Sequence, residues 1–143
     1  MNIRKALIIG SIGLATVIGC NRENTRAIPK PSYTQIAVVP QYAQGAGDLA
    51  IGDIDADGDL DIIVGSQPVS ESTFDLYKLM NESGSYRKEF IGNVEQYAKG
   101  DGSVALGDVD NDGDLDLVVG SQPRAESTFI VYQLMNDGKG NFR

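Results

Sequence analysis

Residues Leu49–Pro68 read LAIGDIDADGDLDIIVGSQP, and residues Val104–Pro123 read VALGDVDNDGDLDLVVGSQP. The offset is 55 throughout, and the likeness runs on to Asn81 in the first copy and Asn136 in the second. A fixed period of this length marks a repeated supersecondary unit. Each copy carries the run Asp-x-Asp-x-Asp-Gly-Asp-x-Asp. The acids are Asp53, Asp55, Asp57, Asp59 and Asp61, then Asp108, Asp110, Asp112, Asp114 and Asp116. At roughly 6 Å and an effective dielectric near 20, each pair of such charges costs about 3 kcal/mol. A chain carries that burden twice only if the acids stay solvated or a hard cation sits among them.

Outward from the acidic run, both copies read as strands. Leu49–Asp53 is a short strand leading in, and Asp61–Gly65 is a β-branched strand leading out. Ser66-Gln67-Pro68 follows as a turn. Thr73–Met80 is a third strand, Asn81–Ser85 a turn, and Tyr86–Ile91 a fourth strand of alternating character. The second copy repeats the series, with Leu117-Val118-Val119 and Phe129–Met135 as its second and third strands. Helical spacing fits nothing after residue 20. The expected fold is all-β: two four-stranded antiparallel blades of propeller type. Two blades fall short of the roughly 4–8 that close a propeller, so the propeller is incomplete.

The acidic run suits calcium. Ca²⁺ takes oxygen ligands, about six to eight of them, in flexible geometry. Acids at positions 1, 3 and 5 of a nine-residue loop project to one side of a tight turn, and the glycine at position 6 permits the reversal. Position 7 offers its backbone carbonyl, and the acid at position 9 closes the shell. Two Ca²⁺ sites are therefore expected, one on Asp53, Asp55, Asp57, Asp61 and the carbonyl of Asp59. The other is on Asp108, Asp110, Asp112, Asp116 and the carbonyl of Asp114. An EF-hand is excluded, because position 12 is Val64 or Val119 inside a strand and no helix flanks the loop. Mg²⁺ fits less well, since it dehydrates reluctantly and demands strict octahedral geometry. Affinity of about 10⁻⁴ to 10⁻³ M, usual for extracellular modules, is expected.

The segments GDIDADGDLDIIVGSQP and GDVDNDGDLDLVVGSQP resemble FG-GAP/VCBS repeats, the blade unit of integrin-α-type β-propellers. The resemblance covers nearly all of Tyr33–Arg143 and implies the same calcium ligands. It departs at Ser66-Gln67-Pro68 and Ser121-Gln122-Pro123, which replace the Gly-Ala-Pro half of the family signature. Asn136–Arg143 resembles Asn81–Arg87 with one residue inserted. By analogy with Lys88–Gly92, a further strand is expected beyond Phe142-Arg143.

At the other end, Arg4 and Lys5 precede Ala6–Gly19, an uncharged apolar run of 14 residues. That is short for a bilayer span and has the length of a signal-peptide core. It ends in Val17-Ile18-Gly19-Cys20, with the chain's one cysteine. The segment resembles a bacterial lipoprotein signal with its lipobox. The resemblance implies cleavage before Cys20, lipid on the Cys20 sulfur and acylation of the new amine, which together exceed what stable anchoring needs. The expected organisation is residues 1–19 signal, 20–32 lipidated cysteine and tether, and 33–143 two blades. Asn21 rather than Asp after the cysteine points to an outer-membrane or cell-surface address. Asn21–Ser32, with Pro29 and Pro31, reads as a semi-extended tether.

Composition narrows the function. Loss of Arg4 and Lys5 with the leader moves the formal charge from −8 to −10. An acidic chain without a basic patch speaks against nucleic acid. There is no histidine and no second cysteine, which removes the usual general base and zinc sites of Cys/His type. It also rules out an intrachain disulfide, leaving bound metal as the stabiliser. Glu71 and Glu126 stand in repeat-equivalent loops, whereas acid and base roles need different surroundings. Gln67, Gln122, Phe74, Phe129, Tyr77 and Tyr132 read as turn and packing residues. The expectation is a membrane-anchored calcium-binding module for binding, adhesion or structure, not an enzyme. The alternative is a fragment of a larger propeller protein or hydrolase. Two blades leave strand edges to be covered, so self-association through Tyr33–Val39 or a protein or glycan partner is expected.

Overall fold

A computed structural model describes residues 32–42, 45, 47–68, 72–97, 100–123 and 128–143. The expected signal, Cys20 and all of the tether but Ser32 lie outside the described residues, as do Glu71 and Glu126. Seven strands are described: β1 (Gly47–Gly52), β2 (Asp61–Ser66), β3 (Ser72–Glu82), β4 (Ser85–Gln96), β5 (Gly102–Gly107), β6 (Asp116–Ser121) and β7 (Ile130–Leu134). They form two antiparallel sheets, β1-β2-β3-β4 and β5-β6-β7. The registers repeat at the sequence period. Gly52 faces Asp61 and Gly107 faces Asp116, each pair closing an acidic loop, while Val64 faces Tyr77 and Val119 faces Tyr132. These are two propeller-type blades in an all-β fold.

The strands differ in length from the sequence reading. β4 runs five residues past Ile91, because a register shift beside Leu76 and Tyr77 lets the pairing continue through Gly92 to Gln96. The β3–β4 turn is tighter than expected: Ser83 and Gly84 alone form it, at φ +54° and +93°, the left-handed pair that a two-residue hairpin requires. In the second blade the span between the equivalent paired residues is one longer, five residues between Asn136 and Phe142 against four between Asn81 and Tyr86. Met135 and Arg143 exchange backbone hydrogen bonds at 2.9 Å, and Asn136 bridges Phe142 across Asp137–Asn141. The expected insertion is therefore accommodated in the turn, without disturbing the strands. Among the described residues the second blade has three strands where four were expected.

The core lies between the sheets. Ile54, Ile63, Phe74, Leu76 and Met80 of the first blade pack with Val104, Leu117 and Val119 of the second. Phe74 is held between two glycines: a Cβ on Gly65 would meet its ring at 2.3 Å, and one on Gly102 at 2.6 Å. The small residues make a slot into which one aromatic ring fits.

Polar bonds fix the seam. Val104 N donates to Asp48 Oδ2 at 3.0 Å, Asn136 Nδ2 to the Ile54 carbonyl at 2.7 Å, and Lys78 Nζ to the Gly140 carbonyl at 2.7 Å. Ser121 Oγ lies within hydrogen-bond distance of the Glu95 carbonyl and Gln96 Oε1, which share its one proton, and Tyr97 N donates to the Gln122 carbonyl. The same knot recurs 55 residues earlier. There the one proton of Ser66 Oγ is shared between the Pro40 carbonyl and Gln41 Oε1, and Tyr42 N donates to the Gln67 carbonyl. Gln67 is fully buried and Gln122 half-buried, in keeping with their reading as turn residues.

Candidate metal centre

Each acidic run becomes the loop between the first two strands of its blade, β1–β2 or β5–β6. Both loops adopt the same backbone. Gly58 and Gly113 take φ +95° and +99°, the left-handed region that glycine enters without cost. Position 4 is left-handed too, at +58° for Ala56 and +64° for Asn111. Sequence reading missed that position, although asparagine in the second copy is the residue that tolerates it best.

One carboxylate oxygen from each of Asp53, Asp55 and Asp61 lies within 4.8 Å of the others, and Asp108, Asp110 and Asp116 converge likewise. The acids at positions 5 and 7 stay outside these groups. Asp57 Oδ1 accepts from Asp59 N at 2.8 Å, and Asp112 Oδ1 from Asp114 N at 3.0 Å. The Asp59 side chain turns away to accept from Ser83 N at 3.0 Å.

The converging acids are not equivalent. Asp53 is tied within its loop, accepting from Asp57 N at 3.1 Å and from Gly58 N at 3.0 Å. Asp61 is buried and accepts at both oxygens, from Ile54 N at 3.0 Å and from Asn81 N at 2.7 Å. Asp116 repeats this with Val109 N at 3.1 Å and Asn136 N at 2.9 Å. The ninth-position acid thus staples the loop to the far end of the third strand, a role that sequence reading did not assign. Each carboxylate oxygen keeps a second lone-pair direction after one such bond. Asp55 Oδ1 is buried with no hydrogen-bond partner. Buried polar groups are almost always satisfied, and a carboxylate oxygen in that state beside two more carboxylates fits a cation.

Electrostatics agree. Burial pushes the Asp55 carboxyl above its ordinary value, and neighbouring Asp57, Asp61 and Asp53 push it further. Asp110 and Asp114 are also raised, first by lost hydration and then by nearby carboxylates. Asp137 is lowered, chiefly by the Asn141 side chain. A raised carboxyl binds its proton more tightly in the fold than in the unfolded chain, so metal-free stability rises as pH falls toward the ordinary 3.8. The lowered Asp137 takes stability away only below that value. In EDTA, the urea midpoint is expected to be higher near about pH 5 than near about pH 7, and an equal or lower midpoint would contradict this.

The first loop is the more sheltered. Asp53 and Asp55 are half-buried where the second blade's Asn136 reaches Ile54, whereas Asp108 and Asp110 are exposed. Two blades in register, each closing an acidic hairpin of identical backbone, define a blade-repeat protein of the propeller class. Residues 53–119 match the model of the FG-GAP-like repeat family. Comparison with curated proteins and with solved structures gave no match.

Proposed function

We propose that the protein is a calcium-loaded blade module, held outside the cytoplasm by lipid on Cys20, which serves binding, adhesion or structure rather than catalysis. The observation that carries the calcium reading is the convergence of three carboxylates in both loops, with Asp55 Oδ1 buried and unpartnered in the first. Asp53, Asp55, Asp57, Asp61 and the Asp59 carbonyl would hold one ion. Asp108, Asp110, Asp112, Asp116 and the Asp114 carbonyl would hold the other. Bound there, Ca²⁺ neutralises the carboxylate repulsion and locks the first two strands of each blade. Anchoring rests on the lipobox-like Val17-Ile18-Gly19-Cys20, and the expected address is the outer membrane or cell surface. The lack of histidine, the usual general base, supports a non-catalytic role.

A thermal melt of the full chain in detergent with Ca²⁺, Mg²⁺ or EDTA tests the metal. At about a hundred times the dissociation constant, each site adds about 2.7 kcal/mol, a rise in Tm on the order of 10 °C for a domain of this size. Mg²⁺ gives a smaller rise, and the double variant Asp55→Ala, Asp110→Ala none. A parent Tm indifferent to Ca²⁺ sinks the assignment.

A further inference from the structure

The two acidic loops are joined by a short buried path across the seam. Asn136 stands just past β7 and is 3% exposed. Its main-chain N–H donates to Asp116 Oδ1 at 2.9 Å, and Asp116 belongs to the converging acids of the second loop. Its side-chain Nδ2 donates twice, to the Leu115 carbonyl at 3.1 Å and to the Ile54 carbonyl at 2.7 Å. Leu115 lies in the second loop, and Ile54 lies in the first, between Asp53 and Asp55. Ile54 N donates in turn to Asp61 Oδ2 at 3.0 Å, and Asp61 belongs to the converging acids of the first loop. From Asp116 to Asp61 the path thus passes through Asn136 and Ile54 alone. All four residues are at most 3% exposed, so bulk water does not compete for these bonds. Hydrogen bonds in such low-dielectric surroundings polarise and strengthen one another.

The repeat supplies a contrast within the chain. Asn81, 55 residues earlier, makes its equivalent bonds inside its own blade, from N to Asp61 Oδ1 at 2.7 Å and from Nδ2 to the Leu60 carbonyl at 3.2 Å. The Asn136–Ile54 bond is therefore an addition to the staple of the blade, made to its neighbour.

The turn that follows Asn136 is pressed on the same loop. A Cβ on Gly140 would stand 3.2 Å from Met80 Cε and 3.7 Å from Asp55 Cβ. Lys78 Nζ, on β3, donates to the Gly140 carbonyl at 2.7 Å. Two bonds, Asn136 to Ile54 and Lys78 to Gly140, thus hold the second blade's turn against the first loop.

We infer that Asn136 is a positioning residue that couples the two cation sites, so that Ca²⁺ in either loop tightens Ca²⁺ in the other. The inference rests on the calcium reading above and adds to it the relation between the sites. In each loop, gathering the carboxylates around an ion orders the backbone that carries them. An ion in the second loop fixes Asp116 and Leu115, which hold Asn136 by its N–H and its side chain. Asn136 then presets the Ile54 carbonyl, and with it the segment that carries Asp53 and Asp55. An ion entering a loop already ordered gives up less conformational entropy, which is positive cooperativity without a change of fold. The relation is reciprocal, because a coupling free energy belongs to the pair of sites.

Ca²⁺ titration of the isotope-labelled full chain in detergent, followed by NMR at the amides of Gly58 and Gly113, reads the loops separately. Asp55→Ala leaves the second loop alone and Asp110→Ala the first, which gives the two lone-site constants. The parent curves are expected to need a coupling factor of about five or more over those constants. In an Asn136→Ala background the factor falls to about one, while both loops still bind. Each lost aspartate also removes a charge, but it does so in both backgrounds, so the difference between backgrounds isolates Asn136. Lys78→Met, which frees the Gly140 carbonyl and keeps Asn136, lowers the factor as well and decides the matter where Asn136→Ala does not fold. In EDTA, Ile54 N–H is expected to exchange with solvent several-fold faster in either variant, although its acceptor Asp61 is untouched. No coupling in the parent, a factor that survives these substitutions, or an unchanged exchange rate at Ile54 overturns the coupling and leaves the calcium reading standing. A parent that binds no Ca²⁺ overturns both.

Discussion

Asp61→Ala is expected to destabilise the metal-free protein by roughly 1–4 kcal/mol, about 1–3 for the buried Ile54 amide left without an acceptor and less for the part-buried Asn81 amide. Those amides are Ile54 N, at the start of the acidic loop, and Asn81 N, at the end of β3. Asp116→Ala should cost about as much, through Val109 N and Asn136 N. Asp55→Ala makes the contrast. Its Oδ1 has no partner to lose and its carboxyl is pushed upward, so its removal leaves metal-free stability unchanged or improved while abolishing the response of that loop to Ca²⁺. Urea unfolding in EDTA, repeated in Ca²⁺, separates the two kinds of acid. A cost below about 1 kcal/mol for Asp61→Ala in EDTA would mean that the staple does not carry the loop.

Phe74→Ala is expected to cost about 3–5 kcal/mol, because the ring fills the slot between Gly65 and Gly102 and nothing nearby can collapse into the space. Phe129→Ala, at the repeat-equivalent position, should cost a small fraction of that in dilute protein. There the ring lies over Gly120 and is half open to water. Denaturant midpoints for both variants, measured in dilute protein, check this. Equal costs would contradict the one-sided packing of Phe129.

The acidic loops and their flanking strands were legible because their determinants are local. The glycine at position 6, the spacing of the acids and the β-branched exits Ile62-Ile63-Val64 and Leu117-Val118-Val119 all act within a dozen residues. What escaped the sequence reading depends on partners far along the chain. Asp61 could be placed in a ligand set from its spacing, but its bond to Asn81 N spans 20 residues and needs the third strand in place. Phe74 and Phe129 read alike, and only the packing of one blade on the other buries the first and leaves the second open. The length of β4 depended on a register shift that no periodicity announces. The early repeat at Gln41-Tyr42 and Gln96-Tyr97 could have been found by carrying the offset backward from Leu49. The left-handed turn at Ala56 gave no sign in the first copy and a faint one in the second, as Asn111.

The glycine-floored slot has a bearing on how such a chain changes over generations. Both sides of the seam derive from the same 55-residue unit, one face of the unit fitting the opposite face of another. An in-frame gain or loss of one whole unit in the gene would therefore place a familiar surface against a familiar surface at every junction. Copy number can drift by unequal recombination without any new complementarity having to arise, whereas a one-residue slip inside a strand, unlike the extra residue in the Asp137–Asn141 turn, would turn the strand's core face outward.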